Sequence, residues 1–262
     1  MKSVIFFDID GTLITEDKRQ AIPPSAREAI VRTREKGNLT FINTGRTLFN
    51  VNSSVRSLGF DGLLCGCGTY IEYNGEVLLK NTLTQNFCRE IALLMRECKV
   101  TPVYEDSYGY FFDSFAVKNP LLDDFLCTFV SKGTDVSRRV EDTDFHFDKF
   151  VVWESPESDM EKFRTQTGKY FDIIDRGNGF YENVPLGFSK ATAIDLILEK
   201  TGIPLENAYA VGDSPNDLPM LKAVPNSIAM GGSESIYPFV SYITDSIESD
   251  GIYNALEHFN LI

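Results

Sequence analysis

The chain has 262 residues, 43% of them hydrophobic, with 38 acidic and 25 basic side chains and a formal net charge of −13. That apolar content supports a packed core and excludes general disorder, and the length suits one large domain or two small ones. The negative balance excludes sequence-independent nucleic-acid binding, which needs basic surface to displace counterions, and docking on anionic membrane.

Val4–Phe7 is a short apolar run and is predicted to be a buried strand;. It ends at once in Asp8-Ile9-Asp10-Gly11-Thr12. Strand alternation would point Asp8 and Asp10 the same way if the strand continued through them. Unpaired carboxylates are expensive to bury, so two of them at the carboxyl end of a buried strand suggest a metal over a reaction centre. The plainer reading is an Asp-Gly turn. Pro23-Pro24-Ser25 opens a helix that Gly37 can end, and Leu39–Ile42 is the next strand, followed by Asn43-Thr44-Gly45-Arg46;. A helix is predicted through about Asn50–Leu58, then a strand over Gly62–Cys65;. Tyr70–Tyr73 and Glu76–Leu79 around Asn74-Gly75 form a hairpin with a type I′ turn;.

The pattern then changes. Phe87, Ile91, Leu94, Met95 and Cys98 mark one amphipathic helix;. Val103–Phe115 mixes aromatic and polar residues as strands do, and Phe150–Trp153 and Phe171–Asp175 are strands around a helix near Ser158–Gly168. The α/β rhythm returns with a helix over Lys190–Thr201 and a strand over Ala208–Val211, which ends in Gly212-Asp213-Ser214-Pro215-Asn216-Asp217. A helix from Leu218, strands over Ser227–Met230 and Tyr242–Thr244, and a helix over Ile252–Phe259 complete the chain. The fold class is therefore α/β, a Rossmann-like parallel-sheet core with an inserted α/β module. The expected division is a discontinuous core, 1–82 and 185–262, and an insert, 83–184.

Five cysteines, an odd number set mostly in apolar or helical contexts, are expected to be reduced thiols in a cytoplasmic protein;. Cys65-Gly66-Cys67 is too tight for a usual zinc knuckle, and no second pair or histidine lies nearby;. Asp8 and Asp10 interrupt any secretory apolar region, and no apolar stretch approaches the length of a membrane span;.

Four islands carry the chemistry: Asp8-Ile9-Asp10-Gly11-Thr12; Thr44-Gly45-Arg46; Lys190; and Gly212-Asp213 with Asn216-Asp217. All follow strands or open helices, where ligands bind in open α/β sheets. Each has a plain structural reading as a strand-exit turn, a solvated lysine or a helix cap, but together those readings need four coincidences.

In this order the islands resemble the four motifs of the haloacid dehalogenase superfamily of phosphohydrolases, and the insert resembles the large α/β cap of its Cof-type sugar-phosphatase branch. Ile228-Ala229-Met230-Gly231, Tyr242-Ile243-Thr244 and Asp250-Gly251-Ile252 are similar to that branch too. The resemblance implies a Mg²⁺-dependent phosphatase acting on small phosphorylated metabolites, sugar phosphates among them, through an aspartyl-phosphate. It implies Asp8 as nucleophile and Asp10 as acid and base. Thr44, Gly45, Lys190 and Asn216 would hold the phosphoryl group, with Thr44 and Lys190 counted among the catalytic residues. Asp8, Asp10 (through its backbone carbonyl) and Asp213 would ligate Mg²⁺, with Asn216 and Asp217 orienting the metal shell and Lys190. Charge counting agrees: one lysine cannot offset Asp8, Asp10, Asp213 and Asp217 beside a phosphate dianion, and oxygen ligands suit a hard cation.

The sequence departs from the branch at Gly66-Cys67-Gly68-Thr69, where an Asn-Gly pair is usual; Cys67 lacks the amide's two donors and is read as a reactive thiol lining the site mouth or as a small buried filler;. Glu182 and Asn183, near the return to the core, are candidates for sugar hydroxyls, and Arg46 is read either as a substrate contact or as the partner of an acid. The implied partner is a small phosphorylated metabolite, with neither nucleic acid nor membrane, for a monomer or weak homodimer. The rival readings are a phosphomutase using the same aspartyl-phosphate and a non-catalytic metabolite-binding protein.

Overall fold

The computed structural model describes residues 2–17, 19–81, 83–131 and 133–262. In chain order its elements begin with β1 (Val4–Phe7), α1 (Pro24–Glu35), β2 (Leu39–Asn43), the single-turn α2 (Ser53–Arg56), β3 (Gly62–Cys65), β4 (Tyr70–Tyr73) and β5 (Glu76–Lys80). There follow α3 (Gln85–Glu97), β6 (Thr101–Glu105), β7 (Tyr110–Phe112), α4 (Pro120–Ser131), β8 (Lys149–Trp153), α5 (Met160–Thr167), β9 (Phe171–Asp175) and β10 (Phe180–Pro185). The last stretch has α6 (Lys190–Thr201), β11 (Ala208–Gly212), α7 (Leu218–Ala223), β12 (Asn226–Ala229), β13 (Tyr242–Ile243) and α8 (Gly251–His258).

Two compact units result. One comprises residues 1–46, 51–79 and 188–262; the other comprises 47–50 and 80–187. The expected junction at Thr82 lies outside the described residues, and the return to the first unit falls at Phe188.

The first unit is built on a sheet in the order β13-β12-β11-β1-β2-β3-β4-β5. The strands from β13 to β3 are parallel, and β4 joins β3 antiparallel. β1 lies between β11 and β2, with Phe7 opposite both Val211 and Ile42, so the carboxyl ends of all three strands fall on one edge. Side chains alternate along β1, and all four are fully buried, so the strand is covered on both faces;. Val4 and Phe6 pack with Ile194 and Ile197 of α6 and with Met220 and Leu221 of α7. The β4–β5 hairpin turns through Asn74 (φ 52°) and Gly75 (φ 78°), the positive pair a type I′ turn requires;.

The second unit has a five-stranded sheet in the order β7-β6-β8-β10-β9, in which each pairing is antiparallel. Cys88, Ile91 and Met95 of α3 and Phe163 of α5 pack with Tyr104, Phe150 and Val152 of the sheet. Leu122, Phe125, Leu126 and Phe129 of α4 pack with Val103, Val151 and Trp153, residues of alternate register. The unit thus has its own core.

Several expected elements differ. The helix expected over Asn50–Leu58 is a 3-10 turn at Leu48–Asn50 and the single turn of α2, because Asn52 is extended (ψ 143°) and starts the helix afresh;. Val103–Phe115 is a hairpin rather than one strand: the Asp106 carboxylate accepts from the backbone amides of Tyr108 (2.7 Å) and Gly109 (2.6 Å), which turns the chain;. The helix α4 and the strand β10 were not expected from sequence at all.

α6 begins at Lys190 for a local reason. Ser189 Oγ accepts from the Thr192 amide at 3.1 Å, and Thr192 Oγ1 accepts from the Ser189 amide at 2.9 Å, a reciprocal cap;. Ser189→Ala is expected to cost about 1 kcal/mol of stability while leaving the other caps intact, measured by urea denaturation.

Candidate active site

Strand β1 stops at Phe7, and Asp8 follows with its amide still bonded to the Val211 carbonyl at 3.0 Å. Its carboxylate is buried at the sheet's carboxyl edge. Gly11 then turns the chain at φ +73°, and a Cβ there would stand 2.3 Å from Asp213 Oδ2, so the loop after β1 lies directly against the loop after β11;. Thr12 Oγ1 donates to Asp213 Oδ1 at 3.1 Å across the same gap.

Lys190 reaches this edge from the first position of α6. It is 1% exposed, and its ammonium donates to Asp8 Oδ1 at 2.7 Å and to Asp217 Oδ1 at 2.5 Å. Asn43 Nδ2, at the end of β2, holds the Lys190 backbone carbonyl at 2.8 Å. Asp217 is fully buried in a 3-10 turn over Pro215–Asp217, and its second oxygen accepts from the backbone amides of Asp213 (2.9 Å) and Ser214 (3.1 Å). The four-residue spacing thus lets one carboxylate cap its own loop and hold the lysine.

Asp8, Asp213 and Asp217 each offer a carboxylate oxygen within 4.8 Å of the others. Three carboxylates around one ammonium leave an excess of negative charge in a desolvated place. Burial, and next the Asp217 charge, push the Asp8 carboxyl up to about 8;. The same two causes in the same order push Asp213 up to about 7, against the pull of the Thr12 hydroxyl. Burial acts to lower the Lys190 ammonium, but Asp217 and Asp8 outweigh it, and its proton is held more tightly than usual. Sites that keep protons on carboxylates near neutrality have room for a cation, and a set of oxygens only fits a hard one. The cluster can therefore hold a metal ion.

The remaining expected residues stand as follows. The strand ends at Phe7, so alternation does not fix the direction of Asp10, whose charge still helps to raise the Asp8 carboxyl. The Asp10 carboxylate lies outside the three-acid group and takes a forked pair of bonds from Arg46, Nε to Oδ2 at 2.8 Å and Nη2 to Oδ1 at 2.5 Å. A metal role for Asp10 is thereby confined to its backbone carbonyl. Thr44 is buried at the end of β2, and its hydroxyl accepts from the Arg46 amide at 3.2 Å, which leaves the hydroxyl hydrogen to donate elsewhere;. Gly45 is half-buried beside it. Asn216 is half-buried in the 3-10 turn, and its side chain makes no hydrogen bond among the described residues. Cys67 is 4% exposed, with φ 55°, and its amide donates to the Thr44 carbonyl at 3.0 Å. It lies close enough to affect the Lys190 ammonium, and of the two readings left open its burial favours the small filler;.

Glu182 belongs to a separate cluster inside the second unit. It accepts from the buried Lys149 ammonium at 2.6 Å, with Glu105 3.6 Å from the same nitrogen. Asn183 points to the other face of β10 by alternation and donates to the Phe150 carbonyl at 3.3 Å;. Two details of the first unit's site needed the structure. Arg46 as the partner of Asp10 had no local signal, because their pairing spans 36 residues. Asp217, expected near Lys190 and the other acids, bonds the ammonium and also lies within the three-acid group.

Comparison with known proteins places these features in a class. The putative phosphatase YkrA of Bacillus subtilis (strain 168) is 26% identical over 99% of this chain and 98% of its own length. The 5-amino-6-(5-phospho-D-ribitylamino)uracil phosphatase YcsE of the same organism is 28% identical, over 98% of this chain and 96% of its own. Among solved structures, the sugar phosphatase BT4131 of haloacid dehalogenase subclass IIB superposes with a TM-score of 0.82 at 27% identity, over 99% of this chain and 100% of that one. The class is a phosphoric monoester hydrolase. A family model described as haloacid dehalogenase-like hydrolase matches residues 5–256, and the chain belongs to that family, in its Cof-type branch. No helix among the described residues is long and apolar enough to cross a membrane.

The raised carboxyls set a pH dependence. The folded chain holds the Asp8 and Asp213 protons more tightly than the unfolded chain does. Their contribution to stability is complete below the unfolded value, about 4, and is lost as pH rises through the folded values of about 7 and about 8;. The Tm of metal-free protein is therefore expected to fall between about pH 6 and about pH 8.5, and added Mg²⁺ to raise Tm more at the higher pH. Thermal scans in EDTA and in Mg²⁺ across that range check this; a Mg²⁺ effect independent of pH contradicts it.

Proposed function

We propose that the protein is a Mg²⁺-dependent phosphatase that hydrolyses small phosphorylated metabolites, sugar phosphates among them, through an aspartyl-phosphate on Asp8. The observation that carries this reading is the buried Asp8–Lys190–Asp217 arrangement with Asp213 beside it. A carboxylate oriented by a fixed ammonium, next to a site that can take a cation, is equipped to attack an anionic phosphorus centre.

Asp8, Asp213 and the Asp10 backbone carbonyl would hold Mg²⁺, with Asp217 behind them keeping the loop in place. The bound ion supplies positive charge to the phosphoryl oxygens. Lys190 supplies a second, fixed positive charge and holds one oxygen of Asp8, so the other is the attacking atom. Thr44, whose hydroxyl already accepts from the Arg46 amide, donates to a phosphoryl oxygen, and Gly45 lets the backbone come close. Asp8 forms the new O–P bond as the ester O–P bond breaks, and Asp10 gives its proton to the departing alkoxide. Asp10 then takes a proton from water, which attacks phosphorus and frees Asp8 with release of inorganic phosphate. Arg46 fixes the direction of the Asp10 carboxylate, and Asn216 completes the polar wall. The second unit, with its own sheet, serves as the cap that sets specificity.

Two experiments test the reading. Asp8→Asn is expected to lower turnover of a generic aryl phosphate by at least ~10⁴-fold, with Tm unchanged or raised, because the substitution removes both the nucleophile and one excess charge. Retained activity in a clean preparation refutes the nucleophile. EDTA is expected to abolish phosphate release and Mg²⁺ to restore it; full activity after exhaustive chelation refutes the metal. Sustained release of free phosphate also separates a phosphatase from a phosphomutase, whose intermediate is resolved by an alcohol.

A further inference from the structure

A cleft of about 600 Å³ opens on the first unit between the loop after β1, the start of α1 and the single turn of α2. Its polar lining is Arg19, Gln20, Arg27, Asn52, Ser53 and Ser54, with no carboxylate among the lining residues. In a chain of net charge −13, a concavity lined by two arginines and by no carboxylate differs in charge from the bulk of the surface, with Asp17 next to it bonded to Arg19;.

The two arginines are held differently. Arg27 projects from α1, and its guanidinium has neither an ion pair nor a hydrogen bond among the described residues. Arg19 bonds through Nε to Asp17 Oδ2 at 2.6 Å, and Asp17 is itself fixed by Thr15 Oγ1 at 2.8 Å. The Asp17 contact uses one edge of the Arg19 fork and leaves the Nη groups for a ligand. Guanidinium forks, two hydroxyls and amide donors match the oxygens of a tetrahedral dianion. The concavity is open to solvent and exceeds what inorganic phosphate fills, so a ligand held here by its phosphate would leave the rest of the molecule partly in solvent.

We infer that this cleft is a second, non-catalytic binding site for a phosphate-bearing small molecule, its phosphate held between Arg27 and Arg19. The cleft adjoins the candidate active site through one side chain, since Asn52 Oδ1 accepts from Arg46 Nη1 at 3.0 Å. Its assignment does not depend on the proposed catalytic chemistry, because none of the lining residues belongs to the carboxylate–lysine cluster.

The test is residue-level footprinting of the full chain with phenylglyoxal, which modifies free guanidiniums, read by peptide mass spectrometry. The work is done in EDTA, so turnover is not required. Saturating inorganic phosphate is expected to slow modification of Arg27 by about fivefold or more, while the exposed Arg164 and Arg176 in the second unit keep their rates and sodium chloride at equal ionic strength has no such effect. Arg19→Gln is expected to shift the phosphate concentration that protects Arg27 upward by about tenfold, with Tm unchanged. Phosphate bound in the active site would protect Arg46, on a different peptide, so the two sites are read separately. Protection of Arg27 no greater than that of Arg164, or matched by chloride, overturns the proposal. So does protection of Arg27 that is unaltered in Arg19→Gln.

Discussion

The ammonium of Lys190, buried between Asp8 and Asp217, is the interaction on which the rest of the site depends. Each of these groups would be costly to bury alone, and removing one partner of such a set leaves an uncompensated charge. The fold therefore has to deliver all three to one point. β1 delivers Asp8, the turn after β11 delivers Asp217, and the capped start of α6 delivers Lys190. Asn43 anchors the lysine's own carbonyl from β2, so four segments separated widely in sequence are tied together at the sheet edge.

That arrangement is balanced for structure and unbalanced for charge. One ammonium serves Asp8 and Asp217, and Asp213 is left with a threonine hydroxyl as its side-chain partner. The surplus appears as protons retained on Asp8 and Asp213 near neutral pH. A cation relieves the same surplus, which is why the geometry, rather than acidity alone, points to a metal. Asp10 adds to this surplus, as a weaker influence on Asp8 than burial or Asp217, but its carboxylate lies outside the three-acid group. Its forked pair of bonds with Arg46 fixes it beside that group.

The second unit follows a different logic. Its sheet packs α3 and α5 on one face and α4 on the other, and its own charged group of Lys149, Glu105 and Glu182 sits apart from the apolar clusters. An insert with its own core can vary in sequence without disturbing the packing of the parallel sheet.

The amino-acid sequence by itself determined the parallel α/β core. Short apolar runs such as Val4–Phe7 and Ala208–Val211 read as buried strands, and the Asn74-Gly75 turn and the helix starting at Lys190 depend on neighbours a few residues away. It also marked Asp8, Asp10, Thr44, Lys190 and Asp213 as unusual, because carboxylates and a lysine at strand and helix ends have no cheap explanation. It did not reveal α4 or β10, the interruption at Asn52, or the hairpin around Asp106, where particular side-chain bonds and tertiary packing override weak local patterns. Nor could it choose Asp10 as the partner of Arg46 or fix the distances at which Lys190 meets Asp8 and Asp217. Those choices belong to the tertiary structure alone, since a forked bond across 36 residues and an ion pair across 182 exist only once the strands have registered.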